Sequence, residues 1–66
     1  MEFTGIVKTY DEDEGKGIIV RDRDKHEIVV TSRGFGPGIT ALFEDDRVEF
    51  DVDFTVMPEA HNVIRI

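Results

Sequence analysis

The chain contains no cysteine. That absence excludes a disulfide framework and any thiolate metal site, so packing must hold its 66 residues together. Tryptophan is missing too, and tyrosine occurs once. No apolar run approaches the roughly 20 residues that a membrane-crossing helix requires, and Met1-Glu2-Phe3 lacks the basic and apolar regions that open a signal peptide. A soluble, cytoplasmic protein without membrane contact is the expectation. Basic residues are scarce: 8 Lys and Arg stand against 15 Asp and Glu, a formal net charge of -7. A field of that sign repels polyanions and argues against tight phosphate binding. The imbalance is uneven, because Lys8, Lys16, Arg21, Arg23, Lys25 and Arg33 all fall in the first half, leaving only Arg47 and Arg65 in the second. Phosphate contact on the first-half strands is expected to be modest and strongly salt-dependent.

Catalytic side chains are equally sparse. Ser32 is the only serine, and His26 and His61 are far apart, so neither a nucleophile with its base nor a zinc set assembles from the sequence. Asp11-x-Asp13-x-Gly15 has the start of a calcium loop, but the glycine needed at the sixth position is Lys16 and the closing glutamate is Asp22. No cofactor, no metal and no enzymatic activity are expected.

What is present is a β pattern. Phe3 to Tyr10, Lys16 to Arg21, Glu27 to Thr31, Arg47 to Asp53 and Ala60 to Ile66 carry β-branched or aromatic residues between polar turns. Gly34, Gly36, Pro37 and Gly38 exclude a helix from the middle of the chain, leaving room for one short turn near Ser32. Asp11-Glu12-Asp13-Glu14 and Asp22-Arg23-Asp24-Lys25 read as turns that make the first three strands a meander. Ser32 to Asp46 is a long connection for so short a chain and the segment expected to move most. Five antiparallel strands on so few residues cannot form two good layers. The economical solution is one domain, residues 1–66, with its sheet curled into an all-β barrel that hides its own edges. Gly15-Lys16-Gly17-Ile18-Ile19-Val20 opens the second strand with two glycines spaced by one residue. They mark either a bend packed closely against a neighbouring strand or a surface that a ligand approaches.

In sum of motifs the chain resembles the bacterial cold-shock proteins. Gly5-Ile6-Val7-Lys8 stands where that family has Gly-x-Val-Lys, and Gly15-Lys16-Gly17-Ile18-Ile19 occupies its first RNA-binding motif. Ile28-Val29-Val30 occupies the second, followed by Ser32; Leu42, Val48 and Phe50 match the usual Leu and Val-x-Phe, and Pro58-Glu59-Ala60-His61-Asn62-Val63 matches the closing Pro-x-Ala-x-Asn-Val. The resemblance implies a five-stranded antiparallel OB-fold barrel that binds single-stranded RNA or DNA, acting as an RNA chaperone or a stress-linked regulator. The departures fall on the family's stacking residues. Its Trp-Phe is Thr9-Tyr10 here, its two motif-one phenylalanines are Lys16 and Ile18, its motif-two phenylalanine and histidine are Ile28 and Val30, and Thr31 and Ile39 replace further aromatics. Each stacked base is worth about 1–3 kcal/mol, so the missing rings lower affinity on the order of 10³-fold.

The nucleic-acid-binding set expected from this reading is Lys8, Tyr10, Lys16, Ile18, Ile28, Val30, Arg33 and Phe35. Lys8 and Lys16 either contact phosphate or balance Asp11 and Glu14 on a solvated face. Tyr10 either stacks on a base or covers the barrel's open end; Phe35 either supplies a displaced ring or anchors the long loop, and Phe54 is a rim aromatic or a cap. Ile18, Ile28 and Val30 together would form an aliphatic outer patch suited to a protein partner or a homodimer. Glu44-Asp45-Asp46 reads as a turn cap. Glu27, at a position where the family has an interior valine, is expected to reach the edge and pair with a basic side chain.

Overall fold

The structure, a computed structural model, describes residues 2–53 and 57–66; Phe54 lies outside the described residues. Five strands form where β-branched residues run between turns: β1 (Glu2–Asp11), β2 (Lys16–Arg21), β3 (Glu27–Thr31), β4 (Arg47–Asp53) and β5 (Glu59–Arg65). A single 3-10 turn, Ser32–Gly34, follows β3. The β1–β2 and β2–β3 turns are each built by an aspartate. The Asp11 carboxylate accepts the amides of Asp13 and Glu14 at 2.9 and 3.2 Å, and Asp24 accepts the amide of His26 at 3.1 Å, the Asx geometry that makes this residue a turn former.

The strands close into an OB-fold-like barrel in the order β1-β2-β3-β5-β4. The expectation of a purely antiparallel sheet is corrected here, because β3 and β5 run parallel while every other neighbouring pair is antiparallel. Parity requires it: alternating directions cannot close a ring with an odd number of members, so at least one neighbouring pair must run the same way.

Alternation sends Phe3 and Val7 of β1, Ile19 of β2, Ile28 and Val30 of β3, Val48 and Phe50 of β4, and Ala60 and Val63 of β5 inward, joined by Leu42. Ile28 and Val30 are 1% and 0% exposed. They are core residues, and neither the ligand role nor the outer patch expected of them exists. The outward residues of β3 are Glu27, Val29 and Thr31, one position out of step with the expectation. Because side chains alternate with a period of two, a slip of one residue moves a whole strand to the other face.

Two bulges let the sheet curl. The β1–β2 register shifts between Val7 and Thr9, which places Lys8 and Thr9 both on the exposed side. The β4–β5 register shifts between Glu49 and Asp51, and Asn62, at φ 54, takes up the extra residue, a left-handed conformation that asparagine tolerates better than most residues. The long connection is tied down along its length. Gly36 donates to the Val63 carbonyl at 2.8 Å, Asp45 donates to that of Val7 at 2.8 Å, and Val7 donates to that of Asp46 at 3.0 Å. Asp46 caps the turn as expected, accepting the Phe43 amide at 3.0 Å and the Arg65 guanidinium at 2.8 Å. Burial pulls its carboxyl upward, but these hydrogen bonds outweigh it and leave it below the ordinary range.

One end of the barrel is closed by an ion pair. Arg21 points inward with its guanidinium 4.7 Å from the centroid of the Phe3 ring and forms a two-bond fork with Asp24 at 3.0 and 2.7 Å. That hydrogen bond from Arg21, helped by the His26 amide, holds the Asp24 carboxyl well below the usual carboxylate range.

Two predictions follow from this arrangement. Ile28→Ala lowers unfolding stability by about 2–5 kcal/mol, whereas Val29→Ala costs about 1 kcal/mol or less, both read from urea midpoints; the reverse order contradicts the face assignment. Asp24 has a lower pKa folded than unfolded, so its contribution is complete above the ordinary carboxylate pKa and is lost progressively as pH falls from there to the lower folded-state pKa. Asp24→Asn is therefore expected to be less stable than the parent at neutral pH, with a gap that narrows on acidification. A gap that does not change with pH contradicts this role.

Candidate functional site

The outward face of β1, β2 and β3 is aliphatic at its centre. Ile6 is opposite Val20, Thr9 is opposite Ile18, and Ile18 is opposite Val29; the four aliphatics are half-buried. Thus Ile18 sits on this face as expected, but its neighbours are Val29, Val20 and Ile6 rather than Ile28 and Val30. Lys8 reaches across β2 to Glu27 at 2.7 Å. Glu27 therefore lies at the edge and pairs with a basic residue, as the sequence suggested, and Lys8 is balanced by it rather than by Asp11 or Glu14.

Tyr10 lies at the end of β1 opposite Gly17. It is half-buried against the core, and its ring is 5.7 Å from that of Phe35, tilted by 42°. The second glycine of the pair exists for this contact. A Cβ on Gly17 would collide with the Thr9 carbonyl oxygen and stand 3.0 Å from Cδ1 of Tyr10. Gly15 serves the turn: its φ is 66°, and its carbonyl accepts the Ser32 amide at 2.9 Å. Phe35 anchors the start of the long connection, pairing with Val63 while its ring supports Tyr10, and Ile39 packs on the core nearby.

Lys16 opens β2, exposed, between Asp11 and Thr31 on the flanking strands. It stands between two depressions and lines both, as does Glu14. One, about 310 Å³, lies over Thr9, Tyr10 and Ile18 and carries Asp11 and Glu44 on its rim. The other, about 520 Å³, runs beside the 3-10 turn and brings Arg33, Ser32, Glu59 and His61 together with Lys16. His61 is 3.7 Å from Asp53.

Charge pairing selects among the cations. Lys8, Arg21, Arg47 and Arg65 are matched by Glu27, Asp24, Asp22 and Asp46. Among the described residues, Lys16, Arg23, Lys25 and Arg33 are in no ion pair. Arg23 and Lys25 sit in the β2–β3 turn, at the opposite end of β2 from Lys16. The site residues thus divide into three groups: Lys16 with Arg33, flanked by Tyr10, Phe35 and Ile18; Lys8, set apart and neutralised; and Ile28 and Val30, interior.

Sequence reasoning missed two contributors to the site and one exposed ring outside it. His61 and Glu59 were read as part of a closing motif and gave no sign that β5 would bring them beside Lys16. Phe43 is 65% exposed, with the Arg65 guanidinium 5.9 Å from its ring centroid; an aromatic beside the acidic run Glu44-Asp45-Asp46 was the available signal. Among the described residues, no group of three His, Asp or Glu converges as metal ligands. No protein-family model matches the chain, and no curated protein matches it.

Proposed function

We propose that this protein binds single-stranded nucleic acid, weakly and with strong salt dependence, as a cold-shock-like RNA chaperone or stress-linked regulator. The observation that carries the reading is the position of Lys16. This cation, in no ion pair among the described residues, stands between the half-buried Tyr10 ring and the cleft that holds Arg33, likewise in none among them. A ring edge bordered by cations is the minimal equipment for stacking one base and neutralising adjacent phosphates. The mechanism is passive: a strand resting there cannot re-pair, and weak binding lets it leave quickly. Weakness has three sources, namely the absent rings, the carboxylates of Asp11, Glu14 and Glu44 around Tyr10, and the neutralisation of Lys8 by Glu27.

A second reading, a protein-interaction or self-association surface, draws on the outward row of Ile6, Ile18, Val20 and Val29. The Lys8–Glu27 bridge spans β2 and so partly covers that row, which is why nucleic acid is preferred.

The test is a titration of a fluorescent mixed-sequence single strand followed by anisotropy at low and physiological salt. The expected result is measurable binding at low salt that weakens steeply with salt. Tyr10→Leu, which keeps apolar bulk over Gly17, should cost about 1–3 kcal/mol of binding. Glu27→Gln, which releases Lys8, should tighten it. Absence of binding at low salt, joined to a mass that rises with protein concentration, would establish the second reading instead.

A further inference from the structure

The depressions on this surface differ in charge. Beside the 3-10 turn, Lys16 and Arg33 offset Glu14 and Glu59, and His61 stands on the same lining with Asp53 3.7 Å from it. Over Tyr10, Lys16 alone faces Asp11, Glu14 and Glu44. A third depression, about 330 Å³, is lined by Glu2, Glu49 and Asp51. On a chain of net charge -7, the first of these is where an anion meets least repulsion.

Its donors are also uncommitted. Neither Lys16 nor Arg33 is in an ion pair among the described residues, and Ser32 stands on the same wall, held there by its amide bond to Gly15. Arg33 offers the planar fork that grips a phosphate through two oxygens at once. Glu14 and Glu59 limit what can enter, because a run of phosphodiesters threading the cleft would bring successive charges past both carboxylates. A single phosphate monoester avoids that, and it carries about -1.5 to -2 charge at pH 7, so it gains more from two cations than one diester does. Since Lys16 and Glu14 line both depressions, a strand lying toward Tyr10 would have its end at the cleft.

We propose that the cleft formed by Lys16, Arg33, Ser32 and His61 receives the terminal phosphate monoester of a single strand, making the protein selective for phosphorylated ends. This rests on the nucleic-acid reading above and adds an end preference to it.

The experiment compares short single strands of one sequence that carry a 5′-phosphate, a 3′-phosphate or only hydroxyl ends, each labelled at the far end and titrated at low salt and pH 7. One phosphorylated end should bind about fivefold tighter than the hydroxyl-ended strand, the scale of an exposed charge pair. Arg33→Gln should remove that gain, so that phosphorylated and hydroxyl-ended strands bind the variant equally, each more weakly than the hydroxyl-ended strand binds the parent. Inorganic phosphate should abolish the gain at a concentration where chloride salt of equal ionic strength leaves it in place. Equal binding of all three strands overturns the end preference while leaving the nucleic-acid reading standing. A gain that survives Arg33→Gln overturns the assignment of the cleft, and no binding of any strand overturns both.

Discussion

With five strands in a closed ring, one neighbouring pair has to run parallel. That seam, β3 against β5, has two register pairs, Val29 with Glu59 and Val30 with Ala60. The seam continues past the end of β3. Gly34 packs so close to β5 that a Cβ there would collide with the Ala60 carbonyl oxygen, and Phe35 bridges to Val63. Everything on the surface follows from this closure, because it commits alternate residues of every strand to the interior. Ile28 and Val30 fill the core on the strand that forms the seam, and only Glu27, Val29 and Thr31 remain for the outside. The same closure carries the chain directly from β3 into the 3-10 turn, which sets Arg33 and Ser32 beside His61 of β5 and Lys16 of β2.

The strand positions were legible because their signals were local. Lys16 to Arg21, Glu27 to Thr31 and Arg47 to Asp53 appear where their β-branched runs lie between turns, and a helical turn occurs at Ser32 as the following glycines and proline required. The face of β3 was not legible. Ile28-Val29-Val30 is an unbroken aliphatic run, which has no alternation to say which side is inward, and motif matching placed it one residue out of step. The bulge at Lys8 had no local signal either. It depends on how tightly β1 must coil to meet both β2 and β4, a property of the closed ring. Asn62 did carry a signal, since asparagine is among the few residues that accept a left-handed backbone, yet its consequence for His61 could only be seen once β5 was packed.

Electrostatics distinguish one end of this acidic barrel from the rest. Lys8, Arg21, Arg47 and Arg65 each meet a carboxylate, and three of these pairs tie together segments distant in sequence. Such pairs contribute little individually at an exposed surface, but they cancel the local positive field wherever they form. Among the described residues Lys16 and Arg33 are in no ion pair, and they stand at one end of β2 next to the Tyr10 and Phe35 rings, with Glu14 and Glu59 nearby. The resulting surface is modest: one supported ring, two cations and several nearby carboxylates. It favours transient contact over tight capture, which is what the proposed single-strand binding calls for.

The central claim, that ligand contact is confined to the Tyr10–Lys16–Arg33 end of the barrel, is tested most directly by amide chemical-shift mapping during addition of an unlabelled single strand at low salt. The account predicts that the perturbed amides cluster at Tyr10, Lys16, Ile18, Thr31, Ser32, Arg33 and His61, with Arg23 and Lys25 at the far turn unaffected. Perturbations centred on Arg23 and Lys25, or spread along Ile6 and Val20 without Lys16, would contradict it.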